Sequence, residues 1–206
     1  MVKPDAEGWA LLKIVGRYLR GAGRLVHRFQ WAEPSRELLT FSDSDWAGDS
    51  GTCKSTSGGV IMLGPHVLKT WSSSQRVVAL SSAEAELYAL TKAAAQLIGL
   101  CSIAADFGVF LNGTVFIDAS AAMAMVHRAG IGKTRHVQVQ YLWVQERVKH
   151  KEIAVAKVNS SQNPADLLTK PLGVELFKRH LEFMRYKMQS SRAHSALNLR
   201  RVAQRC

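Results

Sequence analysis

The order of apolar patterns along the chain constrains its fold more than any other sequence feature. Three strand-length segments come first, at residues 38–45, 60–63 and 67–71. The second and third flank a Gly64-Pro65 turn, which is typical of a hairpin. A long helical pattern then precedes an alternation of strand and helix patterns. An antiparallel meander followed by such crossovers predicts an α/β fold, a mixed sheet with helices packed on both faces.

The second half of the chain adds two more strands, which brings the predicted total to five. Residues 115–117 are wholly apolar, as expected of a central strand, and Asp118 ends that segment before an alanine- and methionine-rich helix. A further helix is predicted at about 134–149, and a last strand at 153–156. Asn163-Pro164 then fits the cap and the first position of a short helix.

Charge and cysteine content restrict the partners and the compartment. The 206 residues include 27 Lys and Arg against 16 Asp and Glu, a net charge of +11. This surplus favours a polyanionic partner, nucleic acid before membrane, although charge alone does not exclude a basic surface that is only solvated.

Three scattered cysteines without metal-ligand spacing indicate a reducing, intracellular compartment. No apolar run approaches ~20 residues, so no membrane span is predicted.

The same patterns divide the chain into a domain with an extension at each end. Residues 1–37 begin with an amphipathic helical pattern that cannot bury its apolar stripe alone. Residues 38–172 contain all the predicted strands and form the domain. Residues 173–206 form a basic tail, whose first half has helical character and whose end is predicted to be disordered.

Two aspartates on the first predicted strand occupy positions that folding alone does not favour. Asp43 shares a strand face with Leu39 and Phe41, where an uncompensated charge is unfavourable. The alternative is that Asp43 lies past the strand end, in solvent. Asp45 is on the same face, so spacing does not choose between the two aspartates.

The helix after the hairpin carries two glutamates, of which one has a structural role. Ser81 and Glu84 fit a capping box, a serine at the cap with a glutamate three residues later. At ~100° per residue, Glu86 lies ~55° from the centre of the apolar stripe and Glu84 ~105° from it. Glu86 therefore lies at the edge of the core face without a capping role, which marks it as the functional candidate.

Asp118 and Asp166 each have a functional and a structural interpretation. Asp118 stands at the carboxyl end of a strand, where ligands gather in α/β sheets, or it caps the following helix. Asp166 lies in the first turn of a short helix, where a carboxylate is favoured by the helix dipole without any further role. Position alone does not decide between these roles.

Five short blocks carry a more specific signal than any single acid. In chain order they are FSDSDWAGD (41–49), KSTSGG (54–59), SSAEAELYAL (81–90), KTRH (133–136) and ADLLTKPL (165–172). Together they resemble the ribonuclease H domain of copia-type long-terminal-repeat retrotransposon Pol polyproteins. Residues 9–23 also resemble the linker that follows the reverse transcriptase. Several blocks in the family's order are far more specific than one motif.

The resemblance implies a ribonuclease H-like fold, an activity and a set of metal ligands. The activity is cleavage of the RNA strand of RNA–DNA hybrids during reverse transcription, in the cytoplasm or in virus-like particles, beside the reverse transcriptase of the same polyprotein. The ligands, also the catalytic residues, are Asp43 rather than Asp45, then Glu86, Asp118 and Asp166. Hard Mg²⁺ or Mn²⁺ ions prefer oxygen ligands, and two ions ~3.5–4 Å apart can drive in-line phosphodiester cleavage.

Two sets of residues are predicted to contact the nucleic acid. The first would reach 2′-hydroxyls across a shallow minor groove and comprises Ser44, Ser57 and Asn163. The second would hold phosphates, unless it is only a solvated helix start, and comprises Lys133, Arg135 and His136.

The sequence also departs from the family, and two rival functions follow. Residues 137–142 replace the usual motif after His136, Ala119 stands where an asparagine is common, and residues 160–162 replace a loop in which related enzymes often carry a histidine. One rival is a catalytically inactive nucleic-acid-binding remnant, expected of a fragment or decayed copy. The other is an integrase-type nuclease, which expects the order Asp, Asp, Glu, whereas here the glutamate comes second.

Overall fold

The computed structural model describes residues 5–21, 24–128 and 138–189, and it divides the chain into two compact units. The larger unit spans Phe29 to Arg185, and the smaller is made of the two ends of the chain. In chain order the elements are α1 (Ala6–Gly21), β1 (Arg24–His27), β2 (Glu37–Asp45), β3 (Thr56–Leu63), β4 (His66–Ser74), α2 (Ser82–Asp106), β5 (Asn112–Ile117), α3 (Ser120–His127), α4 (Gln138–Lys149), β6 (Ala154–Lys157), α5 (Val174–Phe183) and β7 (Tyr186–Gln189).

The larger unit is built on a five-stranded mixed sheet in the order β4-β3-β2-β5-β6. Strands β4, β3 and β2 are antiparallel, whereas β5 and β6 run parallel to β2. The five strands are those predicted from the sequence, so the predicted α/β fold is confirmed. On one face, α2 packs on Leu38, Val115 and Ile117 to form the main core. On the other face, Phe183 of α5 meets Phe41, so helices cover both faces.

Helix α2 begins at the predicted cap and forms most of the core. The Ser81 hydroxyl accepts a hydrogen bond from the Glu84 backbone N–H at 3.2 Å. Leu87, Leu90 and Leu97 are buried against the sheet. Among the described helices, α2 is long and apolar enough to cross a membrane by composition. Its burial against the sheet identifies it as the core helix of this domain.

The two ends of the chain differ from their predicted organisation. Strands β1 and β7 pair antiparallel, with Arg24 opposite Gln189 and His27 stacked on Tyr186. No sequence signal indicates this ribbon, whose two strands lie in the predicted linker and the predicted tail. Helix α5, predicted as part of the tail, buries Leu181 in the larger unit. The predicted boundary at residue 172 therefore falls inside that unit.

Candidate active site

Two neighbouring parallel strands bring Asp43 and Asp118 together. Phe41 on β2 is paired with Phe116 on β5, and each aspartate follows two residues after its phenylalanine. Because side chains alternate along a strand, both carboxylates lie on the same face at the same end of the sheet. Asp43 is within β2 and only 1% exposed, so it is not in solvent past the strand end. Asp118 does not cap α3, because the cap position is Ala119.

Glu86 completes a cluster of three carboxylates with these aspartates. Its Oε1 accepts a hydrogen bond from the Ser44 backbone N–H at 3.3 Å, which joins the first turns of α2 to the end of β2. One carboxylate oxygen from each of Asp43, Glu86 and Asp118 lies within 4.8 Å of the other two. The structure therefore places three of the four predicted acids close enough to share one metal ion.

Glu84 is also buried, but its contacts are structural. Its carboxylate accepts hydrogen bonds from the Leu80 backbone N–H at 2.9 Å and from the Tyr88 hydroxyl at 3.1 Å. The Glu84 carboxylate thus accepts a backbone N–H from Leu80, the residue before the cap. The two glutamates are similarly buried, although the helix angles place Glu86 much nearer the apolar stripe than Glu84. Their hydrogen-bond partners distinguish the structural glutamate from the functional candidate.

Asp166 reaches the site on a short segment that folds back onto the sheet. Pro164–Leu168 is a 3₁₀ turn, and the Asn163 side chain accepts a hydrogen bond from the Ala165 N–H at its start. The Asn163 amide also donates to the Ser42 carbonyl at 2.9 Å, which fixes this turn to β2. Asp166 is 4% exposed; besides burial, the Asp118 charge raises the pKa of Asp166, and the Asp166 charge raises the pKa of Asp43.

Gly58 on β3 is what allows this segment to lie so close to the sheet. A Cβ at Gly58 would stand 2.7 Å from the Thr169 methyl and 3.0 Å from the Ala165 carbonyl oxygen. The Ser72 hydroxyl on β4 donates to the Leu168 carbonyl at 2.6 Å. Residues far apart in the sequence therefore hold this segment against the acid cluster.

Two residues of this segment, Thr169 and Lys170, contact the acids but were not predicted as site residues. The Thr169 hydroxyl donates to Asp43 Oδ2. The Lys170 ammonium lies 3.4 Å from Asp43 Oδ1 and 3.1 Å from Asp166 Oδ1. The spacing of Asp166 and Lys170, four residues apart, is a pairing signal in the sequence. The contact with Asp43 has no such local signal.

Crowding of buried carboxylates changes their protonation. Burial raises the pKa of Glu86 to about 8, and the nearby Asp43 charge adds to this. Burial likewise raises the pKa of Asp43 to about 6, against the Thr169 hydroxyl, which lowers it. The pKa of Asp166 is raised by burial and held back by Lys170. Negative charge at this site is therefore poorly compensated by the described residues.

The chemistry of the donors fits a hard divalent cation. All the clustered donors are carboxylate oxygens, which Mg²⁺ and Mn²⁺ prefer. Glu86 Oε2 is buried and has no hydrogen-bond partner among the described residues. A buried carboxylate oxygen is costly without a partner, and a cation would supply one.

The predicted nucleic-acid contacts have different positions. Ser44 is half-buried beside the acids, and Ser57 is paired with it across β2 and β3. Ser57 is buried, and its hydroxyl accepts from the Gln75 amide at 3.0 Å. Asn163 is 0% exposed and uses its amide to hold the 3₁₀ turn, and its contact with nucleic acid stays a prediction. The predicted phosphate-binding set lies outside the described residues and comprises Lys133, Arg135 and His136.

A groove with a mixed polar and apolar lining lies beside the cluster, on the side of β4 and α2. It has a volume of about 740 Å³ and is lined by hydroxyls and by the basic side chains of Arg76 and Lys92. Ser57 lines its wall, and Ser57 pairs with Ser44, the residue after Asp43. The groove therefore approaches the acid cluster at Ser57.

Known proteins resemble this chain in sequence and in fold. The chain is 32% identical over 173 residues to the Pol polyprotein of transposon TNT 1-94 from Nicotiana tabacum, and 30% identical over 182 residues to that of transposon RE2 from Arabidopsis thaliana. These matches cover 81% and 86% of the chain, but the chain spans only 13% and 12% of the polyproteins. A solved ribonuclease H1, isolated from compost by a metagenomic approach, superimposes with a TM-score of 0.53 at 15% identity over 71% of this chain and 99% of that one. No protein-family profile matches the sequence.

Proposed function

Because the chain belongs to the copia-type retrotransposon Pol family and has the ribonuclease H fold, we propose that it hydrolyses the RNA strand of RNA–DNA hybrids. The proposed setting is reverse transcription in the cytoplasm by the polyprotein that contains this segment. The observation that carries the proposal is the cluster formed by Asp43, Glu86 and Asp118, with oxygens within 4.8 Å of one another on this fold.

The four acids divide the work of holding divalent ions. Asp43, Glu86 and Asp118 form the cluster, and Asp166 extends it from the 3₁₀ turn. Bound Mg²⁺ or Mn²⁺ ions would activate a water molecule and stabilise the leaving oxygen during phosphodiester hydrolysis. The protein then needs no nucleophile of its own. Its task is to hold the carboxylates in place, so that the reacting groups meet in one geometry.

The groove beside the cluster supports binding of a nucleic-acid strand. Its wall offers hydroxyl and amide groups, which can bond to sugars and phosphates, while Arg76 and Lys92 supply positive charge. We assign the groove to the strand of the hybrid that is not cut, because it approaches the acids at Ser57 without containing them. Recognition would then depend on the shape of the duplex and on 2′-hydroxyls at the acid cluster.

Incubation of purified protein with a labelled RNA–DNA hybrid, with and without Mg²⁺ or Mn²⁺, tests the proposal. We expect RNA products that require the ion and disappear in Asp118→Asn, because a neutral amide is a poor ligand for a hard cation. Asp45→Asn is the matched control, since Asp45 is half-buried at the end of the same strand as Asp43 and is outside the cluster. It should retain cleavage.

Two other outcomes would support rival functions. Tight binding of the hybrid with no ion-dependent product would favour an inactive nucleic-acid-binding remnant. Equal cutting of double-stranded DNA would favour an integrase-type nuclease.

A further inference from the structure

Both carboxylate oxygens of Asp43 are engaged by consecutive residues of one segment. Thr169 donates to Oδ2, and the Lys170 ammonium is 3.4 Å from Oδ1. The same ammonium is 3.1 Å from Asp166 Oδ1. In the described part of the chain, a single side-chain cation thus bridges two of the four acids.

The backbone that carries this lysine is held in place from three directions. Gly58 leaves room for it on β3, Ser72 bonds to Leu168 from β4, and Asn163 bonds to Ser42 on β2. Lys170 follows directly after this docked stretch. Its position at the acids is therefore set by the fold and does not depend on a long free side chain finding them.

A divalent ion held by the acid cluster and the Lys170 ammonium would both draw on the carboxylate of Asp43. Cations bound to one carboxylate oxygen repel each other, because their like charges lie too close together for solvent to screen them fully. The Lys170 side chain is 40% exposed, so it has a route into solvent. One cation at Asp43 Oδ1 therefore excludes the other.

We propose that Lys170 is an internal competitor of divalent ions at Asp43 and Asp166, so that metal binding at these oxygens requires the ammonium to move away. Lys170 is a positioning residue in this role: it sets how tightly the acids bind an ion. The inference rests on the proposed function, because it assumes that these acids are the metal ligands. A displaced ammonium stays within one side-chain length of the cluster, where a substrate phosphate can accept it.

Calorimetric titration of the full chain with Mn²⁺ alone measures this competition without any substrate. We expect Lys170→Met to bind Mn²⁺ at least about tenfold more tightly than the unchanged protein, because the competing charge is gone. Lys170→Arg keeps the charge and should bind within a few-fold of the unchanged protein. The matched control is Lys69→Met, which removes an equal charge from a lysine that bonds to Gln96.

Thermal unfolding gives a second readout of the same exchange. In the presence of a chelator, Lys170→Met should unfold at a lower temperature than the unchanged protein, because Asp43 and Asp166 no longer have a cation beside them. Addition of Mn²⁺ should then raise its unfolding temperature more than it raises that of the unchanged protein. Lys69→Met should show neither change.

Asp43→Asn separates failure of this inference from failure of the proposed function. If Asp43→Asn weakens Mn²⁺ binding while Lys170→Met binds Mn²⁺ like the unchanged protein, the acids are metal ligands and Lys170 does not compete. If Asp43→Asn leaves Mn²⁺ binding unchanged, the acids are not the metal site, and the proposed function and the inference are both overturned.

Discussion

Glu84 and Glu86 illustrate how neighbouring residues of one type acquire different roles. Both are buried near the start of α2, at 5% and 8% exposure. Glu84 is satisfied by Leu80 and Tyr88, whereas Glu86 faces other carboxylates and keeps one oxygen without a partner among the described residues. Capping chemistry in the sequence predicts the first role. The second depends on strands far away in the chain, so helical periodicity alone could only suggest it.

Exchange of each glutamate for glutamine tests this division. Glu86→Gln should reduce metal-dependent cleavage by at least about tenfold, because it removes a charged oxygen ligand. Glu84→Gln should keep cleavage and lower the folding stability by at most about 1 kcal/mol, since the glutamine carbonyl can still accept the Leu80 N–H. Cleavage rates and thermal melts of both variants would decide it. Loss of cleavage in Glu84→Gln alone would reverse the assignment.

The raised pKa of Glu86 predicts how stability depends on pH when a chelator is present. Its pKa is about 8 in the folded chain against an ordinary value of 4.5, so the folded state holds this proton more tightly than the unfolded state. The contribution of Glu86 to the free energy of unfolding is fully present below pH 4.5 and is lost as the pH rises towards about 8. Asp43, with a pKa of about 6, adds to the loss at the lower end.

Denaturant unfolding between pH 4.5 and 8 in the presence of a chelator measures this loss. The unchanged protein should become less stable across this range, and Glu86→Gln should change clearly less. Excess Mg²⁺ should restore stability at the upper end, because it binds the ionised carboxylates. A pH profile that is the same in Glu86→Gln as in the unchanged protein would contradict the assignment of this burial effect to Glu86.

At the scale of elements, the turn that carries Asp166 depends on a glycine in a distant strand. Nothing in the sequence indicates that the backbone at position 58 requires a glycine. Its role is to leave space for residues 165–169. The hairpin, the capped helix and the apolar strand β5 were predictable because their signals are local. The docking of this turn was not, because its hydrogen bonds join residues 96 and 121 positions apart.

Gly58→Ala should push this turn away from the sheet. The new methyl would stand 2.7–3.0 Å from Thr169, Ala165 and Leu168, and such overpacking typically costs about 1–3 kcal/mol. Cleavage should fall as well, because Asp166 moves with the turn. Gly99→Ala is the matched control: nothing lies within 4 Å of its new methyl in α2, and it should stabilise by up to about 1 kcal/mol. Equal melts and rates for the two variants would show that the turn does not need this space.

At the scale of the whole molecule, the burial of α5 decides which part of the basic tail can be removed. Helix α5 buries Leu181 in the larger unit, so a cut at residue 173 would damage the domain itself. The ribbon of β1 and β7 escapes sequence prediction because each strand has only four residues and buries none of them fully, without a clear apolar alternation. Residues 190–206 carry four arginines and no acid, which makes them the part of the tail to remove.

Removal of residues 190–206 should weaken hybrid binding and flatten its dependence on salt. Each phosphate that the protein no longer neutralises lowers the log–log slope by about 0.9 for a B-form duplex. The catalytic candidates all precede the cut, so cleavage at low salt should continue. The measurement is a salt titration of binding, with the four arginines replaced by glutamine in the full chain as control. An unchanged slope in both proteins would show that the tail does not bind the substrate.

The most direct test of the central claim is which strand of one hybrid is cut. Identical hybrids labelled on the RNA strand or on the DNA strand should be incubated with Mg²⁺ beside matched double-stranded DNA and double-stranded RNA, with Asp43→Asn as control. We predict products from the RNA strand of the hybrid, little cutting of the other substrates, and none with Asp43→Asn. Products from the DNA strand, or RNA-strand products that persist in Asp43→Asn, would contradict the account.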